Sequence, residues 1–209
     1  MEKFDAKFWN KHYQPGNTPG WDIGYASPPL MDYCEQLESK NLNVLIPGAG
    51  HAWEAGELFS KGFQNIFVIE FASKPIANFL ERLPEFPKQN IFQEDFFAHN
   101  GSYDLILEQT FFTSLPRNKR EDYVRQMHNL LNPGGKLVGL LFTHDFDGEH
   151  PPFGGTREEY MELFAPFFEI KTFEIAHNSI KPRLGREYFM ILEKSEISAI
   201  NFNKLATSF

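Results

Sequence analysis

At 209 residues, 42% hydrophobic and 23% charged, the chain has the composition of a globular protein and the length of one domain, and it needs no disulfide or structural metal to hold a core. Lysine and arginine number 20 against 28 aspartates and glutamates, and the net charge of −8 argues against a phosphate backbone as partner. The lone cysteine, Cys34, excludes an internal disulfide and suits a reducing compartment; the opening Met1-Glu2-Lys3-Phe4-Asp5 is too polar for a signal peptide; and no apolar run is long enough to cross a bilayer. The expectation is a cytoplasmic protein with neither a nucleic-acid nor a membrane partner, and the composition is compatible with a monomer. Phenylalanine is abundant, at 23 residues, enough to build a thick core, an aromatic pocket or both.

Taken in chain order, Phe4, Phe8, Trp9 and Tyr13 have helical spacing, with Pro15-Gly16 as a stop. A turn-forming loop, Asn17 to Asp22, follows, and Pro28-Pro29 open a helix carrying Leu30, Tyr33, Cys34 and Leu37. Strand and helix then alternate. Asn43 to Ile46 predicts a buried strand, Gly48-Ala49-Gly50 a turn, and the residues to about Lys61-Gly62 a helix. Ile66 to Glu70 reads as a strand, Pro75 to Leu83 as a helix, and Asn90 to Gln93 and Asp104 to Leu107 as strands. Arg120 to Leu131 is an amphipathic helix stopped by Pro133-Gly134-Gly135, and Leu137 to Phe142 is a further strand. A Gly/Pro/Asp-rich loop from His144 to Thr156 leads into a helix, Arg157 to Leu163. Two final strands, 168–175 and 187–192, have no helix between them and so form antiparallel neighbours. The whole predicts one α/β domain over residues 1–209: a mainly parallel seven-stranded sheet, helices on both faces and an antiparallel strand near the C-terminus.

In such a sheet a ligand binds beyond the carboxyl ends of the strands, where the strand order reverses. Glycines at the end of the first strand let a ligand approach the backbone. Glu70 ends the second strand about 20 residues after Gly50, the spacing of a carboxylate that binds both hydroxyls of a ribose. Two cofactors fit this outline, a nicotinamide dinucleotide and S-adenosylmethionine. The dinucleotide pattern wants a small residue where this chain has Trp53, and Glu54 places an anion near the helix start. The adenosylmethionine pattern spaces its small residues by two, as Gly48, Gly50 and Ala52 do. Asp95, after the third strand, adds a second acid on the same side.

Several segments together resemble the thiopurine S-methyltransferase family, nearest its thiol and halide methyltransferase branch. They are Gly16-Asn17-Thr18-Pro19-Gly20-Trp21-Asp22-Ile23-Gly24, Val44 to Gly50, Glu94-Asp95-Phe96-Phe97, Tyr103 to Ile106 with Phe111-Phe112, Leu130 to Gly135, Pro151-Pro152-Phe153, and Pro182 to Glu187. They run in order to about residue 194; residues 195–209 form a tail without a match, and Gly20, Ala49 and Trp53 depart from the family pattern.

The resemblance implies a Rossmann-like class I methyltransferase fold, S-adenosyl-L-methionine as cofactor and a small molecule as acceptor. It implies an N-terminal segment, residues 1–37, that covers the cofactor, with Trp9, Tyr13 and Trp21 lining the site; electron-rich rings attract a sulfonium cation without competing as nucleophiles. Gly48, Gly50 and Glu70 join them as cofactor residues, with Asp95 and Phe96 at the adenine and Gln109 at the methionine part. The acceptor chamber is expected between Phe111, Phe112, the cover and the loop 142–156, small and of low polarity. Phe112, Arg120, Arg183 and Arg186 are the candidate acceptor contacts. A thiolate or halide is already an anion, so transfer needs alignment and exclusion of water rather than a strong base. That agrees with the lack of any Ser-His-Asp set, and no catalytic side chain is assigned. No metal is expected, the His144 to His150 stretch reading as an acidic rim loop. The alternatives are a methyltransferase for a nitrogen or selenium acceptor and a non-catalytic cofactor-binding protein.

Overall fold

The computed structural model describes residues 4–196 apart from Pro15, Thr18 and Asp147; the expected unmatched tail lies outside the described residues from position 197 onward. Strands β1 (Asn43–Pro47), β2 (Asn65–Ile69), β3 (Ile91–Phe92), β4 (Tyr103–Gln109), β5 (Leu131–Phe142), β6 (Phe168–Ile175) and β7 (Glu187–Lys194) form one sheet in the order β3-β2-β1-β4-β5-β7-β6. The first five pair in parallel, and β7 runs antiparallel to both β5 and β6. The mainly parallel sheet and the antiparallel C-terminal pairing are as the sequence predicts. The order reverses between β1 and β4, which places the crevice at their carboxyl ends.

Alternation along each strand divides the core into two layers. Leu45, Ile106, Leu137 and Leu141 face a cluster completed by Tyr123, Val124 and Met127 of helix α6 (Arg120–Leu130) and by Tyr160 and Phe164 of α7 (Arg157–Phe164). Val44, Ile46, Leu105, Leu107, Val138 and Leu140 face the other layer, with α2 (Pro28–Glu35), α3 (Trp53–Ser60) and α4 (Ser73–Arg82). Burial of each such aliphatic or aromatic side chain contributes about 1.5–3 kcal/mol, so the two layers supply the main stabilisation.

Helix ends follow local chemistry. In α1 (Ala6–His12) the Asp5 carboxylate accepts from Phe8 N at 2.8 Å, so the helix begins after Phe4 rather than at it. Thr156 and Glu159 form a reciprocal capping box on α7. One element departs from the sequence reading: Pro133-Gly134-Gly135 lies within the bulged start of β5 rather than beyond a helix stop. Leu131 pairs with Tyr103, the register shifts, and pairing resumes at Lys136 with Leu105. Asp104 makes this irregularity possible, accepting from Asn132 Nδ2 at 2.7 Å and from Asn43 N, at the start of β1, at 2.9 Å.

Asp104 therefore ties three strands together at the end of the sheet remote from the crevice. Asp104→Ala is expected to lower stability by about 1–3 kcal/mol, because two donors lose their acceptor. Urea denaturation checks this: the midpoint falls while the slope is unchanged. A midpoint equal to that of the native chain would remove the assigned role.

Candidate active site

The carboxyl ends of β1 to β4 open into a cavity of about 1490 Å³. Its floor is the turn after β1. Gly48 and Gly50 have φ of 57° and 53°, and Ala52, which leads into α3, has φ of 51°. A side chain on Gly48 would collide with the Phe111 ring, and one on Gly50 would stand 2.7 Å from Tyr13 Oη. Glycine is needed at both positions, for the left-handed backbone and for the close approach.

Glu70 closes β2 beneath this turn. Its carboxylate accepts from Gly50 N and from Ala72 N, each at 2.9 Å, and the residue is 6% exposed. Burial raises its pKa, and the backbone donors work against that shift. Asp95 accepts from Phe97 N at 3.0 Å, while Phe96 packs edge-on against Phe111 at 5.1 Å. Gln109 ends β4. Its Oε1 accepts from Thr110 Oγ1 at 3.2 Å, whereas its Nε2 is buried at the cavity wall with no partner among the described residues.

The N-terminal segment crosses above. Trp9 and Trp21 meet edge-on at 5.4 Å, and Trp21 Nε1 donates to Tyr13 Oη at 3.2 Å. Burial, reinforced by Glu70, pushes the Tyr13 phenol far up, so it stays neutral. Asp22 fastens the segment: it pairs with His51 Nδ1 and accepts from Trp53 Nε1 and Gly24 N, each at 2.8 Å. Burial works to raise the Asp22 carboxyl, but these donors outweigh it and hold the group below its ordinary range. The pairing therefore persists at neutral pH. His51 Nε2 faces Asn78 Nδ2 at 3.1 Å, and Arg82 stacks on Trp53 at 3.8 Å. On the other side Arg183 donates to the Trp21 carbonyl at 2.8 Å and pairs with Glu187.

Trp9, Tyr13, Trp21, Gly48, Gly50, Glu70, Asp95, Phe96, Gln109, Arg183 and Arg186 thus all border one cavity. Two candidates do not. Phe112 is fully buried among Tyr123, Tyr160 and Phe164. The left-handed Thr110, with φ of 65°, begins the short helix α5 (Phe111–Ser114) so that Phe111 faces the cavity and Phe112 the core. Arg120 is also buried, donating to the carbonyls of Phe153 and Gly154 at 3.0 and 2.6 Å; it anchors the rim loop from beneath.

The rim loop contributes Phe142, Phe146, His150 and Phe153 to the cavity wall, and Phe4 reaches His150 and Phe153 from the cover at 6.0 and 6.1 Å. At about 1490 Å³ the space exceeds a single-ligand pocket of roughly 300–1,000 Å³, and it takes in both the expected cofactor residues and most of the expected acceptor walls. Among the described residues no group of three or more His, Cys, Asp or Glu side chains is placed to hold a metal ion. Phe111 lines the cavity as expected, whereas sequence reasoning missed Phe71 and the Asp22–His51–Trp53 fastening. Asp22 stands in the quoted Trp21-Asp22 motif, and His51 and Trp53 flank the glycine turn; Asn78 carried no signal.

The sequence pattern of the thiopurine S-methyltransferase family matches residues 4–194. The chain belongs to that family. A probable thiol methyltransferase 2 of Arabidopsis thaliana is 27% identical over 193 residues, covering 90% of this chain and 84% of the relative. A thiopurine S-methyltransferase of Vibrio vulnificus is 29% identical over 203 residues, covering 88% and 92%. In fold the chain is similar to the N-methyltransferase NodS of Bradyrhizobium japonicum, solved with S-adenosyl-L-homocysteine, with a TM-score of 0.68 at 15% identity over 91% of this chain and 98% of that one. The sheet is that of a Rossmann-like class I methyltransferase, and the protein is an S-adenosylmethionine-dependent methyltransferase. The cavity fits that cofactor: a glycine turn that side chains would fill, a buried carboxylate, Glu70, at the end of β2 beneath it, and an orphaned amide donor in Gln109.

Glu70→Ala is expected to weaken adenosylhomocysteine binding by about 1–3 kcal/mol, because polar groups lose their partner in a dry site. Calorimetry checks this, and unchanged affinity would remove the assignment of Glu70 to the cofactor.

Proposed function

We propose that this methyltransferase acts on a small soft nucleophile, a thiol, bisulfide or halide. The observation that carries the reading is how the cations bordering the cavity are matched. Arg117 pairs with Asp145, Lys119 with Asp122 and Arg183 with Glu187. With their charges matched, these groups have little field left for a hard, multiply charged oxyanion. Arg186 is different: its Nη2 meets His144 Nε2 at 2.9 Å, and among the described residues it forms no ion pair with a carboxylate. One such cation suits a monoanion. The cavity that Arg186 borders has aromatic walls, Trp9, Phe111, Phe142, Phe146 and Phe153, a surface that tolerates a polarisable anion and excludes water. The names of the two curated relatives, both sulfur methyltransferases, support the same chemistry.

When bound, S-adenosylmethionine supplies a methyl carbon activated by a positively charged sulfur. The chain's own part is binding and alignment. Glu70 and Asp95 are read as ribose and adenine partners, Gln109 Nε2 as a donor at the methionine part, and Trp9, Tyr13 and Trp21 as the cover that keeps water out while donor and acceptor line up. The nucleophile arrives already ionised, so this scheme assigns no general base. A cytoplasmic location belongs to the reading and is supported by the buried, unpaired Cys34.

Incubation with labelled cofactor and a panel of thiols, sulfide and iodide tests it. Methylated sulfur or halide products are expected, and turnover confined to nitrogen or oxygen acceptors would contradict it. Arg186→Gln is expected to raise KM for these anionic acceptors by about tenfold, a loss of about 1.4 kcal/mol, while Arg186→Lys, which keeps the charge, retains most of the native KM. Equal effects of the two substitutions would exclude a charge role.

A further inference from the structure

Glu108 is the penultimate residue of β4 and is fully buried, with no part in the contacts assigned above. Its carboxylate accepts from Phe112 N through both oxygens, each at 3.1 Å, and from Tyr123 Oη at 2.7 Å. A strand-end carboxylate thus holds the first turn of α5 on one side and α6 on the other. Between Glu108 and Phe112 lie the three residues that shape this part of the cavity. Gln109 turns its unpartnered Nε2 to the wall, Thr110 takes the left-handed conformation, and Phe111 lies against Gly48.

We propose that Glu108 is a positioning residue for the cofactor cleft: by holding the Phe112 amide and the Tyr123 hydroxyl it sets the turn that aims Gln109 at the ligand and lays Phe111 on the glycine turn. This rests on reading the cavity as the cofactor site. A side chain on Gly139, the neighbour of Glu108 across the sheet, would meet Glu108 Cβ at 2.6 Å, so the glycine leaves the room that the Glu108 side chain occupies.

The arrangement carries a pH dependence. Burial raises the Glu108 carboxyl to about 7, against the hydrogen bonds from Tyr123, Phe112 and Phe111, which favour the ionised form. Its surroundings are otherwise uncharged. Next to it β5 presents Gly139, and α5 presents Phe111 and Phe112; Met190 of β7 packs on Gly139; β1 ends in Ile46 and Pro47. From α6 the titratable neighbour is Tyr123, whose phenol is itself raised by burial and by Glu108 and stays neutral. Arg120 on the same helix stands 4.8 Å from the Phe112 ring and donates to the Phe153 and Gly154 carbonyls. The ionised carboxylate accepts all its bonds; the protonated form must donate one, and its grip on the turn weakens. Cofactor affinity therefore rises as pH rises through neutrality. Stability of the free protein runs the other way. The folded pKa lies above the unfolded one, so the native state binds the extra proton, and this contribution is present below about pH 4.5 and lost as pH rises through about 7.

The test is calorimetry with adenosylhomocysteine across about pH 5.5–8.5, beside urea denaturation of the free protein over the same range. The native chain is expected to bind about tenfold more tightly at the upper end, a gain of about 1.4 kcal/mol. Glu108→Gln, which resembles the protonated form, is expected to bind at the low-pH level throughout and to lose its share of the stability slope. Tyr123→Phe removes a donor to the ionised form and is expected to move the binding midpoint to higher pH, which keeps the test available if Glu108→Gln does not fold. Identical pH profiles for the native chain and either variant would overturn the positioning role. Failure of the native chain to bind at any pH would instead overturn the cofactor reading, and this proposal with it.

Discussion

The ring of Phe111 occupies the space that a side chain on residue 48 would fill, and the cleft depends on that contact. It joins two strand-to-helix turns on either side of the point where the sheet order reverses. One turn is left-handed at Gly48 and Gly50, the other at Thr110. Each alone is a local irregularity of modest cost. Packed against each other, they define a floor rigid enough to hold a ligand, with Glu70 fixed below the first turn and Gln109 projecting from the second. The two core layers serve this geometry by fixing where β1 and β4 end.

The cover obeys a different logic. The α1 helix has no fully buried residue, and the segment is held through a few polar and aromatic contacts: Asp22 with His51 and Trp53, Arg183 with the Trp21 carbonyl, and Asn10 with Lys74 N at 2.7 Å. Such contacts contribute about 0.5–1.5 kcal/mol each, more where charge is involved. A cover of this kind can open at a cost far below that of unfolding the sheet, which ligand exchange requires. Its aromatic rings at the same time form a surface suited to a cation in the closed state.

Much of this was legible in the sequence because the signals were local. Strands β1, β2 and β4 are short apolar runs bounded by turn residues, and the spacing of Gly48, Gly50 and Glu70 belongs to one βαβ unit. The start of β5 was not, since Pro133-Gly134-Gly135 reads as a helix stop unless Asp104, from the neighbouring strand, is known to support a bulge there. Phe111 and Phe112 are adjacent and chemically identical; only the left-handed Thr110 decides which ring meets the cavity. Arg120 opens a helix and reads as an accessible cation, yet the rim loop folds onto it. The Asp22–His51–Trp53–Asn78 fastening spans three segments and has no periodicity to reveal it. Glu108 reads as an ordinary strand-end acid until its burial is seen.

The most direct measurement is a pair of variants at the contact between the two turns. Gly48→Ala, with adenosylhomocysteine affinity read by calorimetry and the fold by circular dichroism, is expected to lose about a hundredfold in binding, about 2.7 kcal/mol, while the sheet stays intact. Adding Phe111→Ala opens the space that the new methyl group needs, so the double variant is expected to regain part of that loss, the left-handed backbone at residue 48 keeping the rest. Binding by Gly48→Ala at the native level, or a double variant no better than the single one, would contradict the claim that this contact sets the site.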